Sequence, residues 1–181
     1  MRFSSIVLLL YSAAAALSAA DAPTLAQIYD RNLAGVEGEL VPLAEAMPAD
    51  RYNFAPAAGE FKGVRTFRQQ VKHIAAVNYM IAAALLAQKP PVDLGAGENG
   101  PDSITGKEQA VAFLKDSFAY LHKAMLTLTA ANQTGMIQSP FGNSQSPRIA
   151  IALSAAGHCF DHYGQMVVYA RMNGIVPPAS R

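Results

Sequence analysis

Apolar residues recur at steps of three and four along four long stretches of this chain, and segments rich in glycine, proline and polar residues separate them. That spacing puts apolar side chains on one face of an α-helix. The first stretch covers about residues 23–47: Thr24 can cap it, Leu25, Tyr29, Asn32, Val36, Leu40 and Leu43 form its stripe, and Pro48 stops it. The second covers about residues 64–88, with Phe67, Gln70 or Val71, Ile74, Val77, Ile81 and Leu85 in its stripe, and ends at Lys89-Pro90-Pro91. Ser103 or Thr105 opens the third, Glu108 sits in its first turn, and Val111, Leu114, Phe118, Leu121, Met125 and Leu128 form a bundle seam. The fourth covers about residues 148–173, with Gly174 where a C-terminal cap is wanted and Pro177-Pro178 blocking continuation.

No alternation typical of strands is sustained beyond a few residues. The pattern predicts an all-α fold, a four-helix bundle with long inter-helix loops. Loops of over a dozen residues join helices two and three and helices three and four, so a tight up-down-up-down path is not required.

The chain opens with Arg2, an apolar run from Ile6 to Leu17, then Ser18, Ala19 and Ala20. This order reads as a secretory signal peptide over residues 1–20, leaving 21–181 as the bundle domain. The run is short for a membrane span, so the expected location is periplasmic or secreted, with no membrane association after cleavage.

Composition narrows the partners. The formal net charge is +1, with no basic stripe or long charge run, which argues against nucleic acid and anionic membranes. Long apolar stripes leave a homodimer open. Cys159 is the single cysteine, so no internal disulfide forms; on its helix it reads as a small buried hydrophobe.

The candidate chemistry lies in four histidines: His73, His122, His158 and His162. His158 and His162 stand four apart on helix four and therefore share a face. His73 falls in the line Thr66, Gln69, His73, Val77, Met80, Ala84 on helix two, which turns apolar toward its C-terminal end. If those faces meet, three imidazoles converge on a site suited to a divalent metal ion, zinc or nickel first. Otherwise each is a buried group hydrogen-bonded to a carbonyl. His122 lies beside the third seam and reads as a boundary residue. Asn78 and Gln165 are the candidate groups for orienting ligand imidazoles, with Asp161 one step off the stripe. Tyr79, Tyr163 and Tyr169 are candidate pocket residues, with Tyr79 or Tyr169 as a proton donor.

The segments RTFRQQVKHIAAVNYMIAAAL and GHCFDHYGQMVVYARMNGIVPPAS, with the D-R-Y-N-F-x-P turn before the second helix, resemble the DinB-like (DinB/YfiT-like) superfamily of four-helix metalloenzymes. The resemblance covers essentially the whole chain after residue 20. It implies His73, His158 and His162 as ligands of a divalent metal and a bundle with a long crossover. Characterised relatives include metal-dependent transferases and an isomerase that act with low-molecular-weight thiols, cofactors found in the cytosol. On helix four, Arg171 is the nearest basic residue to the predicted pocket.

Two functions follow as expectations. One is an exported metal-dependent transferase or hydrolase acting on a small-molecule substrate. The alternative is a non-enzymatic metal-binding or stress-response bundle protein that uses the same histidines.

Overall fold

The computed structural model describes residues 22–96 and 98–181; the expected signal peptide lies outside the described residues. Four helices dominate: α1 (Leu25–Ala46), α2 (Phe67–Leu86), α3 (Lys107–Met125) and α4 (Arg148–Met172). A two-stranded antiparallel hairpin, β1 (Met136–Gln138) and β2 (Gln145–Pro147), precedes α4. The sequence pattern reads that hairpin only as loop, because three-residue strands are too short for alternation to register.

The helix starts follow local chemistry. Thr24 caps α1 and Thr66 caps α2, each in a reciprocal pair with the glutamine three residues on, Gln27 and Gln69. For α3 the expected hydroxyl cap is not used. Gln109 instead reaches back and accepts from the backbone N–H groups of Thr105 and Gly106, at 3.2 and 3.0 Å, so the helix begins at Lys107. At α4, which lacks a side-chain cap, the N–H groups of Arg148 and Ile149 donate to the carbonyls of Gly135 and Gln133. The turn before the hairpin thus fixes where α4 enters the bundle.

The helices form a ring in which α2 packs against α3 and α4, and α1 packs against the same two helices from the other side. Cross-helix pairs fix the directions. Arg68 bonds the Thr105 carbonyl, Asn78 bonds Ser117, and Tyr120 bonds Gln88, so α2 and α3 run parallel. Lys107 reaches the Glu45 carbonyl while His122 meets Asp30, so α1 opposes α3. Gln70 pairs with Gln165 and Arg148 with the Leu85 carbonyl, so α4 opposes α2. The path is up-down-down-up, and parallel neighbours need a connection as long as the helix itself. Residues 87–106 supply it by running back along α2.

Leu33, Val36, Leu40 and Leu43 of α1, Phe67, Ile74, Ile81 and Leu85 of α2, Leu114, Phe118 and Leu121 of α3, and Ala155, Cys159 and Met166 of α4 share one core. On α1 the inward position is Leu33, and Asn32 is exposed. Leu128 lies beyond the end of α3 yet stays buried.

On the side away from α2, His122 of α3 sits between two carboxylates of α1, with Nδ1 at 2.6 Å from Asp30 and Nε2 at 2.9 Å from Glu37. Burial opposes a charge on the ring, but hydrogen bonds to both carboxylates and their negative charges outweigh it and raise its pKa. A raised pKa gives stability that is fully present below the unfolded value of about 6.5 and is lost as pH climbs through the folded value. His122→Ala is therefore expected to cost about 1–2 kcal/mol at about pH 6 and clearly less at about pH 9, measured by urea unfolding. An equal cost at both pH values would show that the ring acts by packing alone.

Candidate metal centre

Because α2 and α4 are antiparallel neighbours, the faces carrying His73 and His158 with His162 meet. The Nε2 atoms of His73 and His158 stand 3.1 Å apart, and one nitrogen from each of the three rings lies within 4.8 Å of the others. Nitrogens bound tetrahedrally to zinc at about 2.0–2.1 Å stand about 3.4 Å apart, so little rearrangement separates this cluster from a three-nitrogen ligand set. Among the described residues, it is the only group of three or more His, Cys, Asp or Glu side chains whose ligand atoms all lie that close to one another.

Outer contacts aim the lone pairs inward. His73 Nδ1 donates to the backbone carbonyl of Glu98 at 2.5 Å, on the crossover, which leaves Nε2 unprotonated. His162 is set by a relay. Asp161 accepts from the Gln165 amide at 3.1 Å, the Gln165 oxygen accepts from the Gln70 amide at 2.9 Å, and the Gln70 oxygen takes the Nδ1–H of His162 at 2.6 Å. A carboxylate only accepts, so each amide in that order has one orientation, and His162 Nε2 must present its lone pair. His158 Nδ1 is buried and has no partner among the described residues.

The rings are neutral at ordinary pH. Burial, then the charges that His162, His73 and Arg65 would place nearby, bring His158 down to about 3. His162 falls to about 4, chiefly from burial and then His73. For His73 burial also dominates over the Glu98 hydrogen bond that opposes it. Neutral imidazole is the form that ligates metals.

The cluster opens on a cleft of about 350 Å³. Val77 and Ile81 of α2, Ser154 of α4, Glu98 of the crossover and Phe141 at the hairpin tip line it beside the histidines.

The model of the DinB superfamily matches residues 32–166, a span that holds all three histidines. The chain belongs to the DinB superfamily. Solved structures agree on the fold. A DinB-like protein from Bacillus subtilis is 17% identical with a TM-score of 0.62, covering 81% of this chain and 92% of that one. A DinB-like protein from Bacillus cereus is 15% identical with a TM-score of 0.65, over 83% and 93%. A conserved protein from Enterococcus faecalis is 16% identical with a TM-score of 0.66, over 83% and 97%. Among curated proteins none matches this sequence significantly.

Within this DinB bundle, the two residues expected to orient the imidazoles have different fates. Gln165 lies in the relay, one step out from the histidine, and Asp161 anchors it. Asn78 bonds Ser117 and accepts from the Cys159 thiol, so its amide serves the α2–α3–α4 core rather than a histidine. Cys159 is buried, which pushes its thiol up to about 12 and keeps it protonated. Tyr79 packs on Phe113 and Tyr120 at the α3 side, and Tyr169 donates to the Arg65 carbonyl. Neither points a hydroxyl at the cleft. His122 is in the α1 clamp, and Arg171 contacts Ser180.

Three residues of the DinB site escape the sequence pattern. Gln70 contacts a ring directly, although its position reads as an alternative to Val71 in an apolar stripe. Glu98 and Arg65 come from loops without periodicity. Arg65 bonds Asn99 at 2.7 Å and Glu98 at 3.4 Å, and its charge reaches all three rings.

Gln70→Leu removes the acceptor of His162 Nδ1–H, and its expected effect is a loss of metal affinity of about 10–100-fold with the fold intact. A competitive chelator titration measures this. Unchanged affinity would mean that the relay does not set the His162 tautomer.

Proposed function

We propose that this DinB protein is exported and holds one divalent metal ion, zinc or nickel, through His73, His158 and His162, to activate a small nucleophile for hydrolysis or group transfer on a small-molecule substrate. The observation that carries the reading is the convergence of three neutral imidazoles, two of them with fixed tautomers, beside an open cleft. When bound, the metal would supply Lewis acidity, lowering the pKa of a water or thiol ligand into the neutral range.

The chain's own residues have separate tasks. The histidines would hold the ion through their inward nitrogens. Glu98, whose side chain is 60% exposed on the cleft wall, is the carboxylate placed to accept a proton there, directly or through one water. Arg65, behind that wall and paired with Glu98 at 3.4 Å, adds positive charge near the cleft, which favours a substrate or leaving group that carries negative charge. Export is supported by the order of charge, apolar run and small residues over 1–20. No helix among the described residues is long and apolar enough to cross a membrane.

Elemental analysis of untagged protein spanning residues 21–181 tests the centre. About one equivalent of zinc or nickel is expected, and the His158→Ala/His162→Ala double variant should lose it. A folded protein that takes up no ion after reloading would overturn the proposal. With Co(II) in the site, the visible absorption should change when a small thiol is added if a coordination position is open. A spectrum that ignores thiol and other small ligands would favour the non-enzymatic reading, a closed metal store.

A further inference from the structure

The stripe His73, Val77, Ile81 of α2 forms the floor of the cleft, and the neighbouring stripe Met80, Ala84, Ala87 forms the floor of a second hollow. That hollow has a volume of about 520 Å³, within the range of small-molecule sites. Its far wall is the hairpin, through Ile137 and Pro140. The next residue, Phe141, belongs to the histidine cleft, so the two hollows adjoin at the hairpin tip.

Three features give the second hollow the chemistry of a hydrocarbon site. Its lining side chains carry no charge, and alanines on the helix leave room between Met80 and the hairpin. The tip that separates it from the centre is held in place, since Ser139 Oγ accepts from the Phe141 N–H at 3.1 Å and donates to the Phe141 carbonyl. Gly142, with φ of +79°, makes the turn that a side chain would resist. The trough is therefore mostly apolar and preformed, and the hairpin tip is what stands between it and the histidine cleft.

We propose that this trough is the second half of the substrate site, and that the ligand is an amphiphilic small molecule whose polar head reaches the histidine centre while an aliphatic arm lies between α2 and the hairpin. The inference rests on the metal reading above and adds the class of substrate to it. A head group alone leaves the trough wet; an arm of several methylenes removes its apolar lining from water. Glu98, paired with Arg65 behind it, lies on the crossover side of the cleft and the trough on the hairpin side, so the ligand is polarised from one end to the other.

Acetohydroxamic and octanohydroxamic acid share one metal-binding head and differ only in the arm. Calorimetric titration of the zinc-loaded protein, with its metal content checked beforehand, is expected to show the eight-carbon compound binding at least about tenfold tighter. Ala84→Phe fills the trough and should erase that advantage while leaving acetohydroxamate affinity within about twofold. Ile137→Glu, on the half-buried hairpin wall of the trough and outside the four helices, should weaken only the long compound and serves if Ala84→Phe misfolds. Equal affinity of the two compounds in zinc-loaded protein would overturn the aliphatic arm and leave the metal centre standing. Failure to load zinc or to bind either compound would overturn the metal reading and this inference with it.

Discussion

Helix α2 is enclosed on nearly every side, and it carries Gln70, Lys72, His73 and Asn78 into that enclosure. A buried polar group without a partner costs about 1–3 kcal/mol, so each of these demands a partner from a neighbouring segment. Asn78 is met by Ser117 of α3 and Cys159 of α4. Lys72 and His73 are met by carbonyls of the crossover, those of Ile104 and Glu98. Gln70 is met by α4 through His162 and Gln165. The parallel placement of α2 and α3 makes this work: it forces residues 87–106 to return along α2, where their carbonyls come within reach. Gly100 shows how close that return is. Its φ is +68°, and a Cβ there would lie 3.2 Å from both the Cβ and the carbonyl oxygen of Lys72.

The histidines show how neighbours decide the fate of one side chain. His122 lies between two carboxylates and binds a proton more tightly than a free imidazole. His158 faces two other imidazoles and the field of Arg65, inside the protein, and it refuses one. The same residue is thus a cationic clamp on the α1 side and a neutral nitrogen donor on the α2 side. His73 Nε2 presents its lone pair to His158 Nε2 at 3.1 Å, close enough for the neutral rings to share one proton as a hydrogen bond. A divalent ion would take the place of that proton and could engage all three rings at once.

Most of the fold is legible in the sequence because it depends on period. Leu114, Phe118, Leu121 and Met125 recur at helical steps and are buried, and the boundaries of α4 match its flanking Pro147 and Gly174. The i,i+4 pair His158 and His162 is legible for the same reason. The parts that escape are those in which sequence-distant backbone supplies the chemistry. The carbonyl of Glu98 has no residue signature, since any amino acid could offer it. Arg65 precedes a helix cap, where charge ordinarily faces solvent. Asn78 and Gln70 are both buried amides on one helix, and only packing decides that Asn78 turns to α3 and Gln70 to the histidine-bearing face of α4.

The relay from Asp161 to His162 extends that logic from stability to chemistry. A satisfied core needs only that Gln70 find some partner, and an amide in either orientation could find one. Gln165 and Asp161 remove the choice: both lie toward solvent on α4, and their hydrogen bonds run inward with a single polarity. The consequence falls on Nε2 of His162, which points at the other two rings with its lone pair free. His73 reaches the same state through the crossover carbonyl, by an unrelated contact. Two independent devices, a crossover carbonyl and a side-chain relay, thus impose the same tautomer on rings contributed by different helices. Structural burial explains why each histidine needs a partner, and the partners found leave both inner nitrogens unprotonated, the form in which imidazole is able to accept a cation.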